Sequence, residues 1–179
     1  MTDRITPEKL FQGFVADPEE EVLCVVLDGA SVPNLLERLH ADRSLEVECL
    51  FRGALEPDMR QVAPYLVRLE PASEFAEWVV GTGWGRHWGI FLSSREGFRA
   101  LRNHLRQLTF IYRRDGTPLY FRYYDPRVLR VFLPTCGQAQ LKQMFGPVDA
   151  FMAESEAGDA AHIYRLSGET LSAAERKLL

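Results

Sequence analysis

The chain has 179 residues, 46% of them hydrophobic, with 11 Phe, 6 Tyr and 3 Trp; that is apolar material for one domain with a sizeable core, and too much for a disordered chain. Its 21 basic and 25 acidic residues give a net charge of −4, which speaks against a nucleic-acid partner, since that role calls for a basic excess. Three widely spaced cysteines, Cys24, Cys49 and Cys136, make no disulfide framework and suit a reducing compartment. The start, Met1 to Pro7, lacks the apolar core of a signal peptide, and no run approaches the ~20 residues needed to span a bilayer. A cytoplasmic protein without membrane contact is expected.

In chain order, Thr6-Pro7-Glu8 opens a helix with a hydroxyl cap, a proline and an acid at the positive end of the dipole. Val22 to Leu27 is a continuous apolar run, as in a strand covered on both faces, and Asp28 to Ser31 is a turn. Pro33 to His40 reads as a helix, Glu46 to Phe51 as a half-exposed strand and Ala63 to Leu69 as a third strand. Ser73 caps a helix bearing Phe75, Trp78 and Val79. Gly81, Gly83 and Gly85 end that helix and loosen the link beyond it, the one candidate lobe boundary. His87 to Leu92 is a fourth strand. Ser93 and Glu96 match a capping box before a helix reaching Gln107, with Phe98, Leu101, Leu105 and Leu108 on one stripe. Thr109 to Arg113 and Pro118 to Tyr124 flank Asp115-Gly116, a strong hairpin signal. Asp125-Pro126 opens a short helix, and another begins at Thr135 with Leu141, Met144 and Phe145 apolar. Val148 to Met152 and Ala161 to Leu166 read as a strand pair, and residues 167–179 as a helix or tail. The expected fold is α/β: a single mixed sheet flanked by helices, with a hairpin around Asp115-Gly116, in one domain over residues 1–179.

Motifs for chemistry are sparse. His40, His87, His104 and His162 lie in separate elements without metal-ligand spacing. Gly81, Gly83 and Gly85 follow a helix rather than a strand, so they do not match a dinucleotide fingerprint. No Gly-x-Ser-x-Gly elbow occurs. No cofactor, metal or catalytic residue is therefore assigned. Asp28 ends a buried strand, where α/β sheets place ligands; backed by Gly29, it reads first as an aspartate closing a turn. Arg95, Arg99, Arg102 and Arg106 form a stripe at helical spacing, readable as a docking surface for an acidic partner or as a solvated flank whose stems cover the core edge.

The densest stretch is Tyr120 to Leu133. Its alternation puts Phe121 and Tyr123 on one side of a strand and Arg122 and Tyr124 on the other. Asp125 is placed to cap the next helix, with Pro126 preset at its first position, and Arg127 or Arg122 is within reach of Asp125 for a two-pronged hydrogen bond. The stretch reads as a strand-to-helix corner; Arg122, Tyr124 and Arg127 are the residues left for partner contacts, Tyr and Arg being types enriched at hot spots.

Phe121-Arg122-Tyr123-Tyr124-Asp125-Pro126-Arg127-Val128-Leu129 resembles the signature of the bacterial type VI secretion effector chaperone and adaptor family, domain of unknown function 4123. Leu27-Asp28-Gly29-Ala30, Ala63 to Val67, Trp88 to Leu92 and Phe145-Gly146-Pro147 resemble its other landmarks in order, so that the likeness spans Val22 to Leu166. The resemblance implies a non-enzymatic chaperone that binds a toxic effector in the cytoplasm and helps load it onto a VgrG spike protein. It implies no catalytic residues. The alternatives are an α/β enzyme using Asp28, Asp125 and a nearby arginine in a cleft, and a structural subunit joined through the arginine stripe.

Overall fold

The computed structural model describes residues 4–179. Its centre is a seven-stranded sheet in the order β2-β3-β1-β4-β7-β8-β9, built from β1 (Val22–Asp28), β2 (Val47–Cys49), β3 (Pro64–Arg68), β4 (Gly89–Ser94), β7 (Ala150–Glu154), β8 (Ala160–Ser167) and β9 (Thr170–Lys177). Every neighbouring pair is antiparallel. The hairpin forms where the Asp115-Gly116 signal puts it, as β5 (Phe110–Tyr112) and β6 (Pro118–Tyr120), but it stands as a sheet of its own. The α/β class holds; the main sheet is antiparallel rather than mixed, since it contains no parallel pair among the described residues, and the hairpin lies outside it.

Both faces of the sheet are covered. Along β1, Leu23, Val25 and Leu27 point into one core, while Cys24 and Val26 point into the other, as the two-residue period of a strand requires. The first core is closed by α1 (Pro7–Phe11), α2 (Leu35–Ala41) and α4 (Glu74–Gly83) through Leu10, Phe11, Leu35, Leu39, Phe75 and Val79. The second is closed by α5 (Phe98–Leu108), α6 (Pro126–Phe132) and α7 (Gln138–Phe145) through Leu101, Leu105, Leu129, Leu141 and Phe145. This three-layer arrangement explains why β1 is apolar from Val22 to Leu27 in an antiparallel sheet. Burial in the second core pushes the Cys24 thiol far up, so it packs as a small apolar group.

Several expectations are corrected. Ser93 and Ser94 end β4 and cap nothing: α5 starts at Phe98, behind Gly97 at φ +83°. Ser94 instead donates to the carbonyl of Pro147 (2.6 Å) and accepts from the Glu96 amide (3.0 Å). The glycine stretch is no lobe boundary, because α4 runs through Gly83 and the link beyond it is tied across the fold. There the Trp84 indole donates to the carbonyl of Gly158 (2.8 Å) and the Gly85 amide to Glu154 (2.7 Å). The segment after Ser167 is β9, paired with β8 along its whole length; its largely exposed, polar residues hide a strand from pattern reading. The additional helix α3 (Pro57–Val62) buries none of its side chains and so carries no apolar period.

Backbone contacts in the centre are close enough to dictate glycine. A Cβ on Gly89 would fall inside 3.0 Å of the Val26 main chain on the neighbouring strand. Gly89→Ala should lower stability by about 1–3 kcal/mol through overpacking, read from the midpoint of urea unfolding.

Candidate functional site

Four of the motifs singled out in the sequence meet at the end of β1. The Asp28 amide donates to the carbonyl of Trp88 (2.8 Å) and the Gly29 amide to that of Ala63 (3.0 Å). Gly29 has no room for a side chain, since a Cβ there would press on the carbonyls of Gln61 and Ala63. These contacts draw the starts of β3 and β4 onto the Asp28 turn. The fourth motif comes from 94 residues downstream: the Arg122 guanidinium donates to Asp28 Oδ2.

The Asp28 side chain is 1% exposed, and its charge is fully engaged. Oδ1 accepts from the Ala30 amide (3.0 Å), and Oδ2 accepts from the Ser31 hydroxyl (3.1 Å) and from Arg122. A buried carboxylate is stable only when its lone pairs and its charge are both answered. The local turn supplies two donors, and Arg122 supplies the cation.

Arg122 links this turn to Asp125, whose Oδ2 lies 3.9 Å from the same Nη2. Asp125 caps α6 by accepting from the Arg127 amide (2.9 Å), and it holds the Arg127 side chain in a two-pronged pair, Nε to Oδ1 at 3.0 Å and Nη2 to Oδ2 at 2.7 Å. Burial pushes the Asp125 carboxyl up, but the hydrogen bonds from Arg127 and the two arginine charges outweigh burial and leave it below its ordinary value.

The residues between do not form the expected strand. β6 stops at Tyr120, and the chain turns through Arg122 to Asp125, whose amide donates to the Arg122 carbonyl (3.0 Å). The two tyrosines therefore do not take opposite sides. Tyr123 is fully buried and donates to the carbonyl of Leu105 (3.0 Å); Tyr124 is 2% exposed. Burial, with the charge of Asp28 beside it, pushes the Tyr124 hydroxyl far up. Tyr124 thus fills the core and presents no surface to a partner. Pro126 is also buried. Arg122 and Arg127 are the members of this cluster with substantially exposed side chains, 43% and 54%.

The arginine stripe is dispersed. Arg95 precedes α5, pairing with Glu21 at 3.3 Å while its amide donates to Asp149 (2.8 Å). Arg102 and Arg106 both reach Glu48 on β2, at 3.3 and 3.4 Å, and Arg106 also donates to the carbonyl of Cys49 (2.7 Å). Arg99 is exposed. The spacing was legible, but the one acid that pairs with Arg102 and Arg106, Glu48, lies on a strand more than 50 residues away.

A second buried carboxylate carried no signal beyond its place at the end of an apolar run. Glu154 accepts from the amides of Gly85 (2.7 Å) and His87 (2.8 Å), and His87 Nδ1 lies 2.6 Å from Oε1, off the line of a good hydrogen bond. His87 takes the left-handed conformation at φ +60° to reach it. Burial raises the Glu154 carboxyl against the opposing pull of these donors. Among the described residues, no group of three or more His, Cys, Asp or Glu could hold a metal ion, and no helix is long and apolar enough to cross a membrane.

The enzyme alternative required Asp28, Asp125 and an arginine to converge in a cleft. They do converge. However, Asp125 is spent on capping and on Arg127, and the cavity of about 300 Å³ beside the turn is lined by residues 29–36 with Gln61 and Val62.

Arg122→Ala should destabilise the fold by about 1–3 kcal/mol, because Asp28 stays buried without its cation. Arg127→Ala, removing a more exposed partner, should cost at most about 1 kcal/mol; urea midpoints separate the two. Folded Asp125 binds its proton less tightly than an unfolded aspartate. Its contribution is therefore complete above the ordinary value of about 3.9 and is lost as pH falls through its lower folded value. Asp125→Asn should accordingly lower stability at neutral pH and flatten the fall of stability on the acid side.

No curated protein and no solved structure matches the chain. A family model matches residues 23–143, most of the chain, and that span holds all four motifs that meet at Asp28 while ending before Phe145-Gly146-Pro147. The chain belongs to the family described as Domain of unknown function (DUF4123).

Proposed function

We propose that this protein is a non-enzymatic chaperone and adaptor, which binds a type VI secretion effector in the cytoplasm and helps load it onto a VgrG spike protein. The observation that carries the reading is the family match over residues 23–143, which includes the signature from Phe121 to Leu129 on which the resemblance to secretion adaptors rests. The chemistry of the corner is compatible with it. Asp28 and Asp125 are engaged in holding the turn and the start of α6, which makes the signature a rigid platform presenting the outer faces of Arg122 and Arg127. Arginine presented on a rigid platform loses little freedom on binding and suits an acidic protein surface.

The test is co-purification of the tagged chain from a secreting bacterium, scored for a VgrG spike protein and for an effector. A stoichiometric complex with each is expected, and recovery of neither would overturn the reading. Arg127→Ala should weaken at least one of these complexes about tenfold or more while lowering stability by at most about 1 kcal/mol, because the Arg127 side chain is 54% exposed even though it pairs with Asp125.

A further inference from the structure

Between residues 99 and 133 the chain carries eight arginines and two acids, within a whole-chain balance of −4. Most of these arginines are answered inside the fold: Arg102 and Arg106 by Glu48, Arg122 by Asp28, Arg127 by Asp125, and Arg130 by the carbonyl of Glu154 (2.6 Å). Arg99, exposed on α5, Arg113 and Arg114 are not. The last two stand side by side at the tip of the hairpin, exposed, and neither side chain makes an ion pair or hydrogen bond among the described residues. The nearby acid, Asp115, is occupied by the Thr117 amide (2.9 Å) in closing the turn.

The hairpin also has an open edge. The bonds from the Arg113 amide to the Thr117 carbonyl (2.9 Å) and from the Phe121 amide to the Thr109 carbonyl (2.9 Å) fix the pairing. With Tyr112 opposite Pro118, Tyr112 occupies a non-hydrogen-bonded site, so its main-chain N–H and C=O face away from β6. Among the described residues no third strand lies there. The β6 edge is blunted by Pro118, which has no N–H to offer; the β5 edge is not. Around it, Ile111 is 48% and Tyr112 72% exposed. The base is anchored, with the Phe110 and Tyr120 rings 4.7 Å apart and Tyr120 4.9 Å from Phe51.

The geometry points to the β5 edge of this hairpin as a docking site for an extended acidic segment of a partner protein. The segment adds as a strand beside Tyr112, its carboxylates facing Arg113 and Arg114 and an apolar side chain covering Ile111 or Tyr112. Strand addition draws affinity from main-chain bonds and specificity from the side chains beside them; because β5 is short, the two arginines and Tyr112 must supply much of the binding. The inference rests on the reading of this protein as a binding module, and it specifies the chemistry of one partner segment.

The test uses the full chain and fluorescence anisotropy with three labelled probes: a peptide of alternating Val and Glu, its Val and Lys counterpart, and an oligothymidylate of similar length. The Glu peptide should bind at low ionic strength and weaken about tenfold or more toward 0.5 M salt; the Lys peptide should not bind. R113E/R114E should abolish the binding. Tyr112→Pro, which deletes the outward N–H but no bond within the hairpin, should weaken it, whereas Tyr112→Phe should not. Unchanged melting temperatures confirm that each variant is folded. Equal affinity of the Glu peptide for R113E/R114E, no binding by wild type, or tighter binding of the oligothymidylate would each overturn the proposal. If wild type binds the Glu peptide but neither spike nor effector, the secretion reading falls and the docking edge stands. If the spike and effector complexes survive both hairpin variants intact, the docking edge falls and the secretion reading stands.

Discussion

A carboxylate with almost no contact with water sits at the end of β1, and the surrounding structure is arranged to keep it there. Asp28 receives two donors from its own turn and a cation from Arg122. The turn donors are local and form as soon as the chain bends. The cation is not local: it arrives only when the segment after the hairpin has crossed back over the sheet. The ion pair therefore fixes the position of the Arg122 corner relative to β1, and with it the start of α6, since the same short turn places Asp125 at the helix cap. A buried pair of this kind gives less net stability than its Coulomb energy suggests, because both groups lose water. Its stronger effect is on specificity: any register that leaves Arg122 elsewhere strands a buried charge.

The sheet explains why such a bolt has a role. It has helices on both faces, and the segments that supply them make long excursions between antiparallel neighbours, as between β1 and β3 and between β4 and β7. Between β4 and β7 the chain makes α5, the hairpin, α6 and α7 before it returns to pair Phe91 with Met152. That excursion is secured by apolar packing of α5 to α7 on the second core, but apolar packing tolerates sliding. Directional contacts remove that freedom: Arg122 on Asp28 at one end, and at the other the Ser94 hydroxyl on the Pro147 carbonyl, with His104 Nε2 2.9 Å from the carbonyl of Met144.

How much the sequence discloses depends on the range of the physics involved. Strands β1, β3 and β4 and the stripe on α5 were legible because burial imprints a local period on a covered element. The Asp125-Pro126 cap and its arginine fork were legible because cap, proline and partner lie within three residues. β9 was not, since an edge strand with exposed residues has no period to show, and α3 was hidden for the same reason. The pairings of Asp28 with Arg122, of Glu48 with Arg102 and Arg106, and of Glu154 with the Gly85–His87 turn join residues more than 50 positions apart, and spacing cannot reveal them. The burial of Tyr124 was misread through one local error. Two-residue alternation was extended past Tyr120, where the chain had already left the strand.

The same excursion concentrates arginine in an acidic protein, and the fold treats that charge in two ways. Most of the arginines on α5, α6 and the turn before α6 are met by an acid or a carbonyl, so their charge works inward as a fastener. At the hairpin tip no acid or carbonyl among the described residues meets the Arg113 or Arg114 side chain. An exposed strand edge is ordinarily protected by proline or by charge. β6 has its proline, and the charge beside β5 is of a single sign. Two adjacent arginines repel another copy of the same edge and attract an acidic strand, so this protection is selective: it blocks self-association while leaving the edge open to a partner of opposite charge.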